Sequence, residues 1–358
     1  MATKKSSNTR LKSVRRAKPA ASDSPSKLAK APQDGALLSL TTQKSPVWGI
    51  LGTLVFVVLL VLFGRILWQH RSGMSAAPAP TDAPHPAWGP EVKLEVVGET
   101  KIPDQAQSIK VDAEGRIYVL TLDSIKCYFN GKPAGSVDLK THGDFMNMAF
   151  DGKDFYVTKA FELTVRKVPK DLSRVETIIQ VPGAGEVFGV AAAPDGTCYV
   201  GSDQTHLIYV LDAKGKVRRK LGDGTAMNCP VDIVLRSGGD LLVHDHLALQ
   251  VFHLDNKGKL IGVWPVPWTS HVGGWERLCS IGDMIYISGY NDQRLFIEDM
   301  KGNNIAQCRK LANGDSLDHP QMVGAGLDGF LYVQDKDTIY KLRPYVPAPV
   351  IDAKAAAK

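Results

Sequence analysis

Six copies of one short pattern occupy the last two-thirds of the chain, and they constrain its fold more than any other feature. Each copy sets an Asp/Gly turn ahead of a strand rich in aromatics, Val or Ile. They read AEGRIYVL from Ala113, DGKDFYVT from Asp151, PDGTCYVG from Pro194, GGDLLVHD from Gly238, IGDMIYIS from Ile281 and LDGFLYVQ from Leu327. Their turn residues, Asp112, Asp151, Asp195, Gly238, Gly282 and Asp328, are spaced by 39, 44, 43, 44 and 46 residues. A period of about 40–45 residues with several short strands per unit marks a β-propeller. One copy cannot bury both faces of its small sheet, so neighbours must stack around an axis and the ring must close. The predicted fold is all-β, a six-bladed propeller over residues 91–345.

The sixth copy runs out of strands before its blade is complete. After LYVQD from Leu331 and TIYKLR from Thr338 comes the Pro-rich end PYVPAP. A spare strand lies ahead of the first repeat, where Val92–Val97 alternates Val92, Leu94 and Val96 with Lys93 and Glu95. Pairing this strand onto the last blade closes the ring and removes a raw sheet edge.

A length of 358 residues fits one large domain with appendages. The net charge of +6 is unevenly placed: residues 1–46 carry ten Lys/Arg against Asp23 and Asp34, leaving −2 on the rest. A basic tail on a near-neutral body does not read as a nucleic-acid-binding globule, and no nucleic-acid partner is expected. The tail is rich in Lys, Ser, Ala and Pro and poor in aromatics, so disorder is expected over 1–46. The five cysteines show no CxxC spacing and are odd in number, which argues for buried thiols rather than a disulfide framework.

Val47–Trp68 reads VWGILGTLVFVVLLVLFGRILW, long and apolar enough to be predicted as a transmembrane helix with Trp48 and Trp68 near its ends. The basic excess ahead of it places the N-terminus in the cytoplasm and the propeller in the periplasm, anchored in the cell inner membrane with lipid contact through 47–68. A cleaved signal peptide, with Ser75-Ala76-Ala77 as its processing site, competes with the uncleaved anchor, which the length of the apolar run favours. Residues 69–90 read as a Pro/Ala-rich linker and 346–358 as a flexible tail.

The repeats resemble NHL repeats, which set Pro, an apolar strand, Asp-Gly, Ile-Tyr-Val and Asp ahead of an Asn/His-Arg-Ile strand and a Gly turn. Pro230, Asp245 and Gly258 fit that pattern in the fourth copy, and Pro320, Asp328-Gly329, Tyr332-Val333 and Asp335 in the sixth. Asp203 with His206-Leu207-Ile208 matches in the third, and Asp292 with Arg294-Leu295 approximates it in the fifth. The second copy departs most. The resemblance covers about Val92–Pro344 and implies architecture more than activity, since NHL-like propellers include scaffolds, sensors and lyases.

Propeller sites form where loops leading into the first strand of each blade ring the channel. Nine residues ahead of each turn lie Pro103, His142, Glu186, Cys229, Gly273 and His319. His142, Glu186, Cys229 and His319 are candidate ligands for zinc, or a carboxylate site for calcium, against the alternative of a plain solvated rim with no cofactor. The resemblance to NHL-type lyases, which hold a metal through channel histidines, points the same way. His244 and His246 share a strand face but flank the repeat's usual Asp, so capping competes with ligation there. Trp264, Trp268 and Trp275, among prolines, are candidate anchors for a partner, or else packing between blades. No nucleophile-elbow, zinc-protease, P-loop or haem-attachment motif is present. The favoured reading is a membrane-tethered, extracytoplasmic protein-binding or scaffold propeller, such as a subunit of a membrane protein complex, rather than an enzyme. The alternative is a metal-dependent hydrolase or lyase with its site at the channel mouth.

Overall fold

A computed structural model describes residues 88–139, 145–267 and 277–347. Every regular element among them is a strand, and the strands form six four-stranded antiparallel sheets. Each sheet is one blade. The inner strands are Ser108–Val111, Phe145–Phe150, Val187–Ala192, Pro230–Leu235, Leu278–Ile281 and Pro320–Ala325 for blades 1 to 6. Three strands follow outward in chain order in blades 1 to 5.

The turn after each inner strand carries a glycine at positive φ: Gly115, Gly152, Gly196, Gly239, Gly282 and Gly329. Only glycine takes that conformation without a steric penalty, so this residue locks the period of the repeat. The Asp beside it has its own task. Asp112, Asp151 and Asp328 accept turn N–H groups and the hydroxyls of Tyr118, Tyr156 and Tyr332 on the next strand.

Apolar burial lies between blades rather than at the ring centre. Tyr118, Leu120 and Ile125 of blade 1 pack with Phe145, Phe155 and Val157 of blade 2. Comparable cores join blades 2 and 3, 3 and 4, 4 and 5, and 5 and 6, and Ile109 and Val119 meet Met322 and Tyr332 where blade 6 returns to blade 1. All five cysteines are buried free thiols.

Blade 6 is closed by the N-terminal segment, as the sequence implies, but four residues further on. The outer strand is Val96–Lys101, antiparallel to Thr338–Leu342 with a bulge after Val96. The preceding residues, expected to form that strand, instead strap blade 5. Gly89 N–H donates to Asn304 Oδ1 at 3.0 Å, Gln307 N–H to Pro90 O at 3.0 Å, and Val92 N–H to Gln307 O at 2.8 Å. A Cβ on Gly89 would lie 2.5 Å from the Ala306 nitrogen, so glycine is required for this approach. Trp88 lies over Arg294 and edge-on to Phe296, while Leu94 is buried in the core between blades 5 and 6. Residues 88–90, read from the sequence as the end of the linker, thus pack on blade 5.

The expectation of a single-pass membrane protein finds no support in the described residues. Among the described residues no helix is long and apolar enough to cross a membrane. Their apolar side chains come in strands of four to seven residues, most of them packed between blades. The segment 47–68 that carried the expected anchor, lipid contact, inner-membrane location and periplasmic orientation lies outside the described residues, as do 1–46 and 348–358.

Candidate active site

Six inner strands ring the channel, each with one edge unpaired within its own sheet. Unpaired backbone groups need partners, and side chains from other blades supply them. Asn147 Nδ2 of blade 2 donates to Asp232 Oδ1 of blade 4 at 2.9 Å and to Val231 O at 3.3 Å. The second Asp232 oxygen accepts Leu278 N–H of blade 5 at 3.0 Å, and Ser108 Oγ of blade 1 donates to Asn147 Oδ1 at 3.2 Å. Arg277 Nη2 reaches Met146 O at 2.5 Å and Gln107 O at 3.3 Å. These bonds cross the channel and separate a leading mouth, where inner strands begin, from a trailing mouth, where they end.

At the leading mouth, blades 3 and 4 bring Glu186, Asp203 and Cys229 close enough to interact electrostatically, and His246 follows on the strand beside Cys229. Glu186 immediately precedes the inner strand of blade 3, and its carbonyl accepts Asp203 N–H at 3.4 Å. His246 N–H donates to Cys229 O at 2.9 Å. The repeat's Asp holds this loop in place: fully buried Asp245 accepts N–H bonds from Asn228 at 2.6 Å, Cys229 at 2.9 Å and Ala248 at 2.8 Å. The His206 ring bonds Asn228 O from the neighbouring turn.

The electrostatics favour proton transfer. Burial, then the charge of Asp203, raises the Glu186 carboxyl above the ordinary carboxylate range. Burial raises Asp203 as well, and its buried Oδ1 meets no hydrogen-bond partner among the described residues. Burial lowers His246, with Arg277 adding to the effect against the opposing charge of Asp245. Both shifts run towards the uncharged form, the carboxyl upward and the imidazole downward, as burial dictates.

Met146, Ala160, Phe188, Cys229 and Val231 line this mouth as an apolar cluster. Leu122, Phe161 and Leu247 stand exposed on surrounding turns, Phe161 by 73%. Five of these turns place a non-glycine residue in the left-handed region: Phe161, His206, Leu249, Gln293 and Lys336, at φ between 52° and 61°. Such backbone is sparsely populated and is found where surrounding contacts hold a turn in shape.

Of the expected ligands, Glu186 and Cys229 come together. His319 does not join them: it belongs to blade 6, its N–H bonds Asp335 Oδ1, and its ring lies 4.9 Å from that of Tyr290. His142 lies outside the described residues. Burial and nearby carboxylates push the Cys229 thiol up to about 12, away from the thiolate a metal needs. No three His, Cys, Asp or Glu among the described residues are arranged to hold a metal ion. Among the described residues, then, the expected donors do not converge on one point.

His244 is buried in the second strand of blade 4. Trp264 is corrected as a partner anchor. It is buried between blades 4 and 5, where its Nε1 donates to Glu298 Oε2 at 3.0 Å. Its ring occupies the space a Gly302 side chain would need. Trp268 and Trp275 lie outside the described residues. Sequence reasoning passed over Asp203 as a site residue, although the repeat marks its position. Arg277 and Lys110 carried no signal, because their roles depend on blades remote in sequence.

No protein-family model matches the chain, and no curated protein matches it by sequence, so the resemblance to NHL repeats extends no further than the fold. Solved structures do match. A streptogramin B lyase aligns at a TM-score of 0.50 and 16% identity, over 69% of this chain and 96% of its own. Virginiamycin B lyase from Staphylococcus aureus aligns at 0.50 and 14%, over 69% and 99%. A catalytically inactive form of the latter with quinupristin aligns at 0.49 and 14%, over 69% and 87%. At such identity the likeness shows the fold alone. The solved structures that share the fold are those of lyases, so they lend no support to the preference for a non-enzymatic scaffold.

Proposed function

We propose that the chain is an enzyme of the lyase or hydrolase class whose site is the leading mouth of the channel. The observation that carries this reading is the pairing of Glu186 with Asp203, which raises the proton affinity of Glu186, at the mouth that also carries Cys229 and His246. In such a reaction His246 takes a proton from substrate or water, and Glu186, supported by Asp203, returns one to the leaving oxygen or nitrogen. The apolar cluster around Phe188 and the exposed Phe161 and Leu122 suit a substrate with a large hydrophobic part. No step is routed through a metal, since the described donors do not converge on one.

The fold shared with streptogramin B lyases makes virginiamycin B the first substrate to try, alongside a panel of esters and lactones. Product mass separates the two reactions. A hydrolysis product carries the added mass of water, whereas elimination leaves the total mass unchanged and creates a double bond. Glu186→Gln and His246→Asn should each lower kcat/KM by about 10²–10⁴-fold while leaving the melting temperature near that of the parent. Turnover that survives both substitutions would place the chemistry elsewhere.

A further inference from the structure

The trailing mouth holds a separate cavity of about 370 Å³, lined by Lys110, Phe150, Leu235, Cys279, Ile281 and Leu327 among others. Its volume is within the range of small-ligand sites, about 300–1,000 Å³. Lys110 comes from the inner strand of blade 1 and forms part of the cavity wall. That amine makes no hydrogen bond among the described residues. Asp232 on blade 4 is near enough to interact electrostatically, yet its two oxygens are occupied by Asn147 and Leu278. Blade 5 brings the Arg277 guanidinium and the Cys279 thiol towards the same amine. Arg236, also in the cavity wall, is tied to Asp240 and Asp283 at 2.9 Å each.

We propose that Lys110 is the reactive amine of a second site, at the far end of the channel from Glu186, which captures small apolar aldehydes or ketones as an imine. An amine in a partly apolar cavity, beside another cation and without a hydrogen-bonded counter-ion, is the arrangement that frees a lysine lone pair. Burial first, and Arg277 second, lower its proton affinity, against the opposing charges of Asp232 and Cys279. The nitrogen lone pair attacks the carbonyl carbon to give a carbinolamine. A nitrogen proton then passes to the oxygen, which leaves as water as the C=N bond forms. No oxidant or reductant enters the step.

The test uses the intact chain treated with butanal and cyanoborohydride at pH 7, the hydride serving only to trap the imine as a stable secondary amine. Peptide mapping by mass spectrometry gives the alkylation rate at each lysine. Lys110 should react at least about tenfold faster than the exposed lysines Lys132, Lys214 and Lys257. The advantage should shrink as the pH is raised. Equal rates at pH 7, or no adduct on Lys110, would overturn the assignment. The comparison is internal to one folded protein and needs no variant.

Discussion

Replacing Glu298 by glutamine should abolish an effect of pH on one seam of the ring. Glu298 ends the third strand of blade 5, is fully buried, and accepts the Trp264 indole N–H from the outer strand of blade 4. Its other oxygen, Oε1, meets no hydrogen-bond partner among the described residues. Burial, only partly opposed by the indole bond, pushes its pKa from 4.5 up to about 8. The folded protein therefore holds a proton that the unfolded chain releases near pH 4.5. Stability from this group is fully present below pH 4.5 and is lost as the pH rises through about 8. At about 1.4 kcal/mol per pH unit, the loss amounts to roughly 5 kcal/mol across that window.

In the Glu298→Gln variant the amide oxygen can still accept the indole N–H, but the side chain no longer titrates. Its NH₂ group needs a partner at every pH, a constant penalty of about 1–3 kcal/mol. Urea unfolding from pH 5 to 9 should show two crossing curves, the variant less stable than the parent at pH 5 and more stable at pH 9. Parallel curves would refute the reasoning, because they would mean that Glu298 ionises in the folded state much as it does in water.

Two further outcomes concern stability. Leu94→Ala should lower the unfolding free energy by about 2–5 kcal/mol in urea titrations, because Leu94 fills the core between blades 5 and 6 and secures the strap. Asp245→Asn should cost about 2 kcal/mol or more by the same measurement, since it removes the charge from a buried acceptor of three N–H bonds. It should also lower activity at the leading mouth by loosening the loop that carries Cys229 and His246.

The candidate site was legible only in part. Glu186 and Cys229 could be found because the repeat puts them at equivalent positions ahead of their inner strands, and the ring then makes blades 3 and 4 neighbours. His319 occupies an equivalent position too, but blade 6 lies across the ring from blade 3, and its ring packs against Tyr290. Equivalence in the repeat reports distance from the axis, not which residues meet. Trp264 shows a different limit. Aromatics among prolines suit an exposed surface or a blade seam equally well, and only the position of Gly302 across the seam decides between them.

The number of blades, their order and the need for closure are all written in local chemistry. A turn carrying a glycine at positive φ recurs every 39–46 residues, apolar strands lie between, and the last blade is one strand short. Three-dimensional packing had to settle that closure uses Val96–Lys101 while Trp88–Leu94 straps blade 5, since pairing register depends on which sheet edges are free and where Leu94 finds a core. Packing also settled how the channel is crossed, through Asn147, Asp232 and Arg277, and hence that Lys110 and Glu186 face different mouths. Those residues come from blades 1 to 5, far apart along the chain. Their proton affinities depend on burial and on charges that only the closed ring brings near them.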